Sequence, residues 1–140
     1  MRWFPIALAV LSNVAYHLGQ RAVPRAAHPL AAVLAMYLVA AAGTLALMPF
    51  APPALTRPGI AAALHWSVVA VGLSIVGVEV AFLLAYRMNW EVSRLSLTTN
   101  VLLAAILVPL GVLAFREPWS GSRAAGILLA LAGLWLLNRG

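Results

Sequence analysis

The sequence predicts an all-α polytopic membrane protein, a bundle of five transmembrane helices, and three observations carry that reading. Of the 140 residues 64% are hydrophobic and only 9% are charged, too few charges for the surface of a soluble domain of this length. The apolar residues lie in continuous runs of roughly 20, the length an α-helix needs to cross a bilayer. Those runs lack the period-two alternation of a membrane β-barrel, and in hydrocarbon the helix satisfies every backbone N–H and C=O within its own segment.

The first span is expected over 3–23. Its opening, "MRWFPIALAVLSNVA", has the charged start and apolar run of a secretory signal peptide, but Asn13, Tyr16, His17 and Gln20 follow on the same helix, which favours a retained span. "VPRAAHP" (23–29), with two prolines and Arg25, ends it, and the second span follows over 30–50. "PFAPPALTRPG" (49–59) carries four prolines and separates it from a third span over 66–86. The segment 59–86 exceeds what one span needs, so residues 59–65 are expected to form a short interfacial turn ending at His65 and Trp66. The polar "RMNWEVSR" (87–94) leads to a fourth span over 95–115, in which Pro109 is expected to introduce a kink and free a carbonyl. "REPWSGS" (116–122) leads to the last span, 122–138, where Gly126, Ala130 and Gly133 share a face suited to packing or to a dimer contact. These segments fill the chain, so 1–140 reads as a single five-helix transmembrane domain.

The net charge of +6 comes from nine Arg and no Lys, set singly at the ends of apolar runs, where they snorkel to headgroups and set topology. No basic stripe is present, so nucleic acid is not an expected partner; membrane lipids are. Five spans would put Arg2, Arg57, Arg116 and Arg123 on one side and Arg21, Arg25, Arg87, Arg94 and Arg139 on the other. Four against five is almost no bias, which leaves insertion in both orientations open. Trp3, Trp66, Trp90 and Trp119 lie at span ends and read as interfacial anchors. With no Cys and no Asp, thiol chemistry, Cys-based metal sites and a Ser/His/Asp set are all excluded, and there is no phosphate-binding glycine loop. Enzyme activity, a cofactor and a metal site therefore have no support among the residues.

What is out of place is Glu79, in "GLSIVGVEVAFLLAY" (72–86). It lies about three residues, or ~4–5 Å, past the centre of its run. A charged carboxylate there costs at least about 2.5–3.5 kcal/mol, which calls for a proton, a partner or water. Counting along alternating spans puts His17, Tyr37 and Asn100 at a similar depth on the same side. Asn13, His17 and Gln20 follow i, i+4, i+7 spacing and form one polar stripe, and Ser96, Thr99 and Asn100 in "SLTTN" form another. The candidate substrate- and proton-binding set is Glu79, His17, Asn13, Tyr37, Asn100 and Arg94, a carboxyl and an imidazole being able to take and release a coupling proton. The bland alternative is interhelical glue between His17 and Asn100. Glu91, Arg87 and Arg94 sit at the mouth on that side, and Arg94 is the loop charge best suited to an anionic group. Glu117, flanked by Arg116 and Arg123, reads as a loop ion pair.

From Ala85 onward, "AYRMNWEVSRLSLTTNVLLAAILVPLGVLAFREPWSGSRAAGILLALAGLWLLN" resembles the end of an EamA-type repeat of the drug/metabolite transporter superfamily. The likeness rests on "SRLSL" opening a helix, Pro109 within it, Glu117 at its far end and a Gly-rich last helix from "AAG", with "LSNVAYHLGQRAVP" a looser match earlier on. The stretch from "REPWSGSRAAG" to "LLN" is also similar to the end of small multidrug resistance proteins and of the aminoarabinose–undecaprenyl-phosphate flippase subunits. Those proteins have four helices, and the small multidrug resistance proteins carry their essential Glu in the first, where this chain has Asn13 and His17. The superfamily resemblance implies a secondary transporter of small organic molecules in the bacterial inner membrane, with one repeat where two of opposite orientation are usual. It therefore implies a homodimer, antiparallel if the Arg balance is followed, working by alternating access. The alternatives are a flippase component for a lipid-linked sugar, in which Arg87 and Arg94 would meet a phosphate, and a non-transporting membrane subunit.

Overall fold

The computed structural model describes residues 3–50, 63 and 65–139. Among them are five α-helices and no strand: α1 (Phe4–Ala22), α2 (Pro29–Leu47) prolonged by a 3₁₀ turn (Met48–Phe50), α3 (Trp66–Arg87), α4 (Val92–Phe115) and α5 (Gly121–Arg139). Four segments are long and apolar enough to cross a membrane: Pro29–Phe50, Trp66–Arg87, Val92–Phe115 and Gly121–Arg139. The chain is an all-α, polytopic integral membrane protein. The expected first span forms as the 19-residue helix α1, the one of the five helices that is not among these four. Asn13, His17, Gln20 and Arg21 crowd its second half and dilute the apolar run. The interfacial turn expected over 59–65 falls mostly outside the described residues.

The helix ends follow local chemistry. Pro29 sits at the start of α2, where its missing N–H is not needed, and the preceding His28 is extended, as a residue before proline tends to be. His65 Nδ1 accepts the Ser67 N–H at 3.3 Å and caps α3. Asn89 (φ 67°) and Arg116 (φ 53°) turn the chain through the left-handed region after α3 and α4. Asn adopts that region readily; Arg does so at a cost. At Arg116 the turn is held by the Glu117 N–H, which donates to the Gly111 carbonyl at 3.0 Å. The Ser120 hydroxyl then accepts the Arg123 N–H at 3.3 Å and starts α5 one residue earlier than expected. The Glu117–Arg123 pair closes at 3.3 Å; with both side chains about half exposed it contributes about 0–1 kcal/mol.

The chain forms two compact units, Met1–His17 with Asn89–Gly140, and Leu18–Met88. In the first, α4 packs on α5. The shielded side of α4 runs through Leu95, Thr98, Val101, Ala105, Val108 and Val112, and that of α5 through Ala124, Ile127, Leu131 and Leu134. Both follow the three-and-four spacing of a helix face. The helix continues through Pro109, which cannot supply the N–H that the Ala105 carbonyl would otherwise accept. Gly126 and Ala130 are exposed, and a Cβ added at Gly126 or Gly133 would meet nothing within 4 Å. Among the described residues the packing of α5 on α4 therefore runs through the Leu131–Leu134 side rather than through Gly126 and Ala130.

In the second unit α2 packs on α3, and Val33, Leu83 and Tyr86 are buried where the start of α2 meets the end of α3. The first half of α3 is almost wholly exposed apolar surface, as expected of helices solvated by lipid tails rather than by one another. Packing in this unit thus depends on very few side chains. Leu83→Ala should cost about 2–5 kcal/mol, because Leu83 is 2% exposed, whereas Leu73→Ala, at 70% exposed, should stay within about 0.5 kcal/mol of wild type. Loss of helicity in a denaturing-detergent titration measures both; equal effects would contradict the assignment of the core. By the same assay Arg116→Gly should stabilise the protein by about 1 kcal/mol, since glycine adopts the left-handed turn without a Cβ penalty.

Candidate functional site

Glu79 is two to three residues past the midpoint of α3, within about 4 Å of the middle of the span, and is half-buried. Its partner is Gln20, in the last turns of α1, whose Nε2 donates to Glu79 Oε2. Gln20 is 3% exposed and its Nε2 also lies 3.9 Å from the sulfur of Met36 on α2. A hydrogen bond to a charged group contributes roughly 1.5–3 kcal/mol, comparable to the roughly 2.5–3.5 kcal/mol that a charge costs in mid-membrane. The Gln20 amide thus offsets much of the cost of a carboxylate at that depth. Tyr37, next to Met36 on α2, is half-buried and close enough to Glu79 to feel its charge, and its hydroxyl has no hydrogen-bond partner among the described residues. Glu79, Gln20 and Tyr37 thus come together within one unit.

Gln20 is the residue that the candidate set left out. The signal was present in the i, i+4, i+7 stripe, but matching residues by depth along ideal helices favoured His17. A Glu and a Gln side chain together span more than a helical turn of offset, which depth counting ignores.

The other polar residues gather in the first unit. Asn13 of α1 and Ser96 and Asn100 of α4 line a cavity of about 580 Å³ whose remaining wall is apolar, including Ile6, Ala9, Val10 and Val14. The Asn100 Nδ2 donates back along its own helix to the Ser96 carbonyl at 2.9 Å and reaches Ser96 Oγ at 3.4 Å. The Thr99 hydroxyl turns back in the same way, to the carbonyls of Leu95 (2.9 Å) and Ser96 (3.1 Å). Two side-chain amides and a hydroxyl in an otherwise apolar cavity suit a small, weakly polar organic molecule. His17 belongs to this unit as well; it is 5% exposed, with the Tyr16 ring edge-on at 5.3 Å.

Arg94 is engaged structurally. Its Nη2 donates to the Leu137 carbonyl at 2.9 Å, so the guanidinium caps the last turn of α5, where the helix dipole favours a cation. Glu91 stands at the start of α4 without a side-chain capping bond. Among the described residues no group of three or more His, Asp or Glu is placed to hold a metal ion. No protein-family model, curated protein or solved structure matches the chain.

Proposed function

We propose that the chain is a secondary transporter of small organic molecules, a single EamA-type repeat that works as a homodimer by alternating access in the bacterial inner membrane, with Glu79 carrying a coupling proton. The observation that carries this reading is a lone carboxyl near the middle of an apolar span, held by a buried glutamine. Intramembrane ionisable residues are costly and mark ion or substrate pathways. The open cavity beside Asn13, Ser96 and Asn100, apolar apart from those three side chains, offers a place for a small organic molecule. The exposed Gly126–Ala130 stripe offers a close-approach surface to a second copy.

The test is transport by purified protein in liposomes with an imposed pH gradient, screening organic cations and neutral small molecules and reading proton movement with a trapped dye. Glu79→Gln should insert and keep its helicity, because the amide is nearly isosteric, yet proton-driven transport should fall to the level of empty liposomes. Glu79→Asp should retain coupling with a displaced pH optimum. Transport by Glu79→Gln at the wild-type rate would make Glu79 a hydrogen-bonding residue only. For the antiparallel pair, C-terminal reporters active on opposite faces of the membrane should both give signal, and Lys added after Arg139 should bias one; signal on a single face would remove the dual-orientation reading.

A further inference from the structure

A charged carboxylate accepts hydrogen bonds and donates none, whereas a protonated carboxyl has an O–H to give. A carboxyl that exchanges a proton near the middle of a span therefore needs a neighbour that donates in one state and accepts in the other, because lipid tails do neither. Arg and Lys side chains only donate. The primary amide of a glutamine does both, through Nε2–H and Oε1, and a half-turn of the amide exchanges the two.

Gln20 meets this requirement. It is 3% exposed, lies in the last turns of α1 and donates through Nε2 to Glu79 Oε2 on α3. Nε2 also lies 3.9 Å from the Met36 sulfur, a weak acceptor that a turning amide gives up at little cost. Gln20 further lines a cavity of about 240 Å³ together with Arg21, Arg25 and Arg87, so it touches both the carboxyl and the polar end of the unit Leu18–Met88. Of the other titratable and charged groups of this unit, Tyr37 of α2 feels the Glu79 charge, Arg21 Nη1 donates to the Tyr86 carbonyl at 2.9 Å, and Arg87 Nη2 donates to the Ala27 carbonyl. We infer that Gln20 is a positioning residue of the proton site: its amide donates to the charged Glu79 and turns to accept from the protonated one, so that Glu79 changes state without leaving its place in the span. This rests on the proposed role of Glu79 as the proton carrier.

Gln20 is the single glutamine of the chain, so isotope-labelled glutamine gives one side-chain amide to follow. In the full chain in an uncharged detergent, nuclear magnetic resonance follows that amide with pH, and infrared spectroscopy follows the Glu79 carboxyl, identified by the band that Glu79→Gln lacks. The amide protons should shift in one step whose midpoint is that of the carboxyl band. In Glu79→Leu the amide signal should remain and be independent of pH; if that variant loses its helical circular dichroism, Glu79→Gln replaces it, and both amides should then be independent of pH. Gln20→Met should displace the carboxyl midpoint by about one pH unit, since a charged acceptor loses a stronger bond than a neutral one. Glu91→Gln and Glu117→Gln, at the other acidic residues, should leave the step in place. Three results would each overturn the inference: an amide that does not respond to pH, a carboxyl midpoint unmoved by Gln20→Met, or a step that survives Glu79→Leu and so belongs to another group such as His17, one turn earlier on α1. Neither measurement involves transport, so failure here is distinct from failure of the transport reading.

Discussion

In hydrocarbon there is no water to satisfy a backbone N–H or C=O, and this one constraint governs the rest of the molecule. It makes each apolar run a helix, and it turns side-chain hydroxyls back on their own helices. The Thr44 hydroxyl donates to the Ala40 carbonyl, that of Ser74 to Ala70 and that of Thr99 to Leu95, at 2.8–2.9 Å. The irregular backbone falls where prolines, Asn89 and Arg116 interrupt the pattern, and there the last carbonyls are taken up by N–H groups or by arginines such as Arg21 and Arg94. The same constraint leaves much of the apolar side-chain surface outward, because lipid tails solvate leucine as well as another leucine does.

A side chain that is polar within the span must then find its partner at short range. Glu79 finds Gln20, with Met36 and Tyr37 alongside, and the price of a charge at that depth is comparable to the hydrogen bond that offsets it. Arginines face the opposite problem. Their charge belongs at the membrane surface, and carbonyl ends of helices hold them there, as at Arg21 and Arg94.

Where local pattern and observed packing part company, the cause is that a helix has several plausible faces. In α5 the small residues Gly126, Ala130 and Gly133 suggested a contact face, yet α4 and α5 meet through Leu95 and the Ala124–Ile127–Leu131–Leu134 side. Small residues permit close approach but add little contact area of their own, so a neighbouring face with larger side chains gains more dispersion contact. In α1 a continuous stripe from Asn13 to Gln20 suggested one site. Asn13 instead lines a cavity with α4 residues of its own unit, and Gln20 joins Glu79 in the other.

The sequence by itself determined the all-α membrane class, helix limits within three residues, the loop ion pair of Glu117 and the anomaly of Glu79, because each follows from local hydropathy, turn chemistry or charge. It did not determine that α1 is more polar than its neighbours to the point of falling outside the clear spans, a matter of degree that a run of apolar letters hides. Which residue answers Glu79, whether Arg94 faces a ligand or a carbonyl, and that Arg21, Arg25 and Arg87 line one cavity were decided only by tertiary structure. These depend on the rotation and axial offset of helices far apart in the chain, which no periodicity within a single helix encodes.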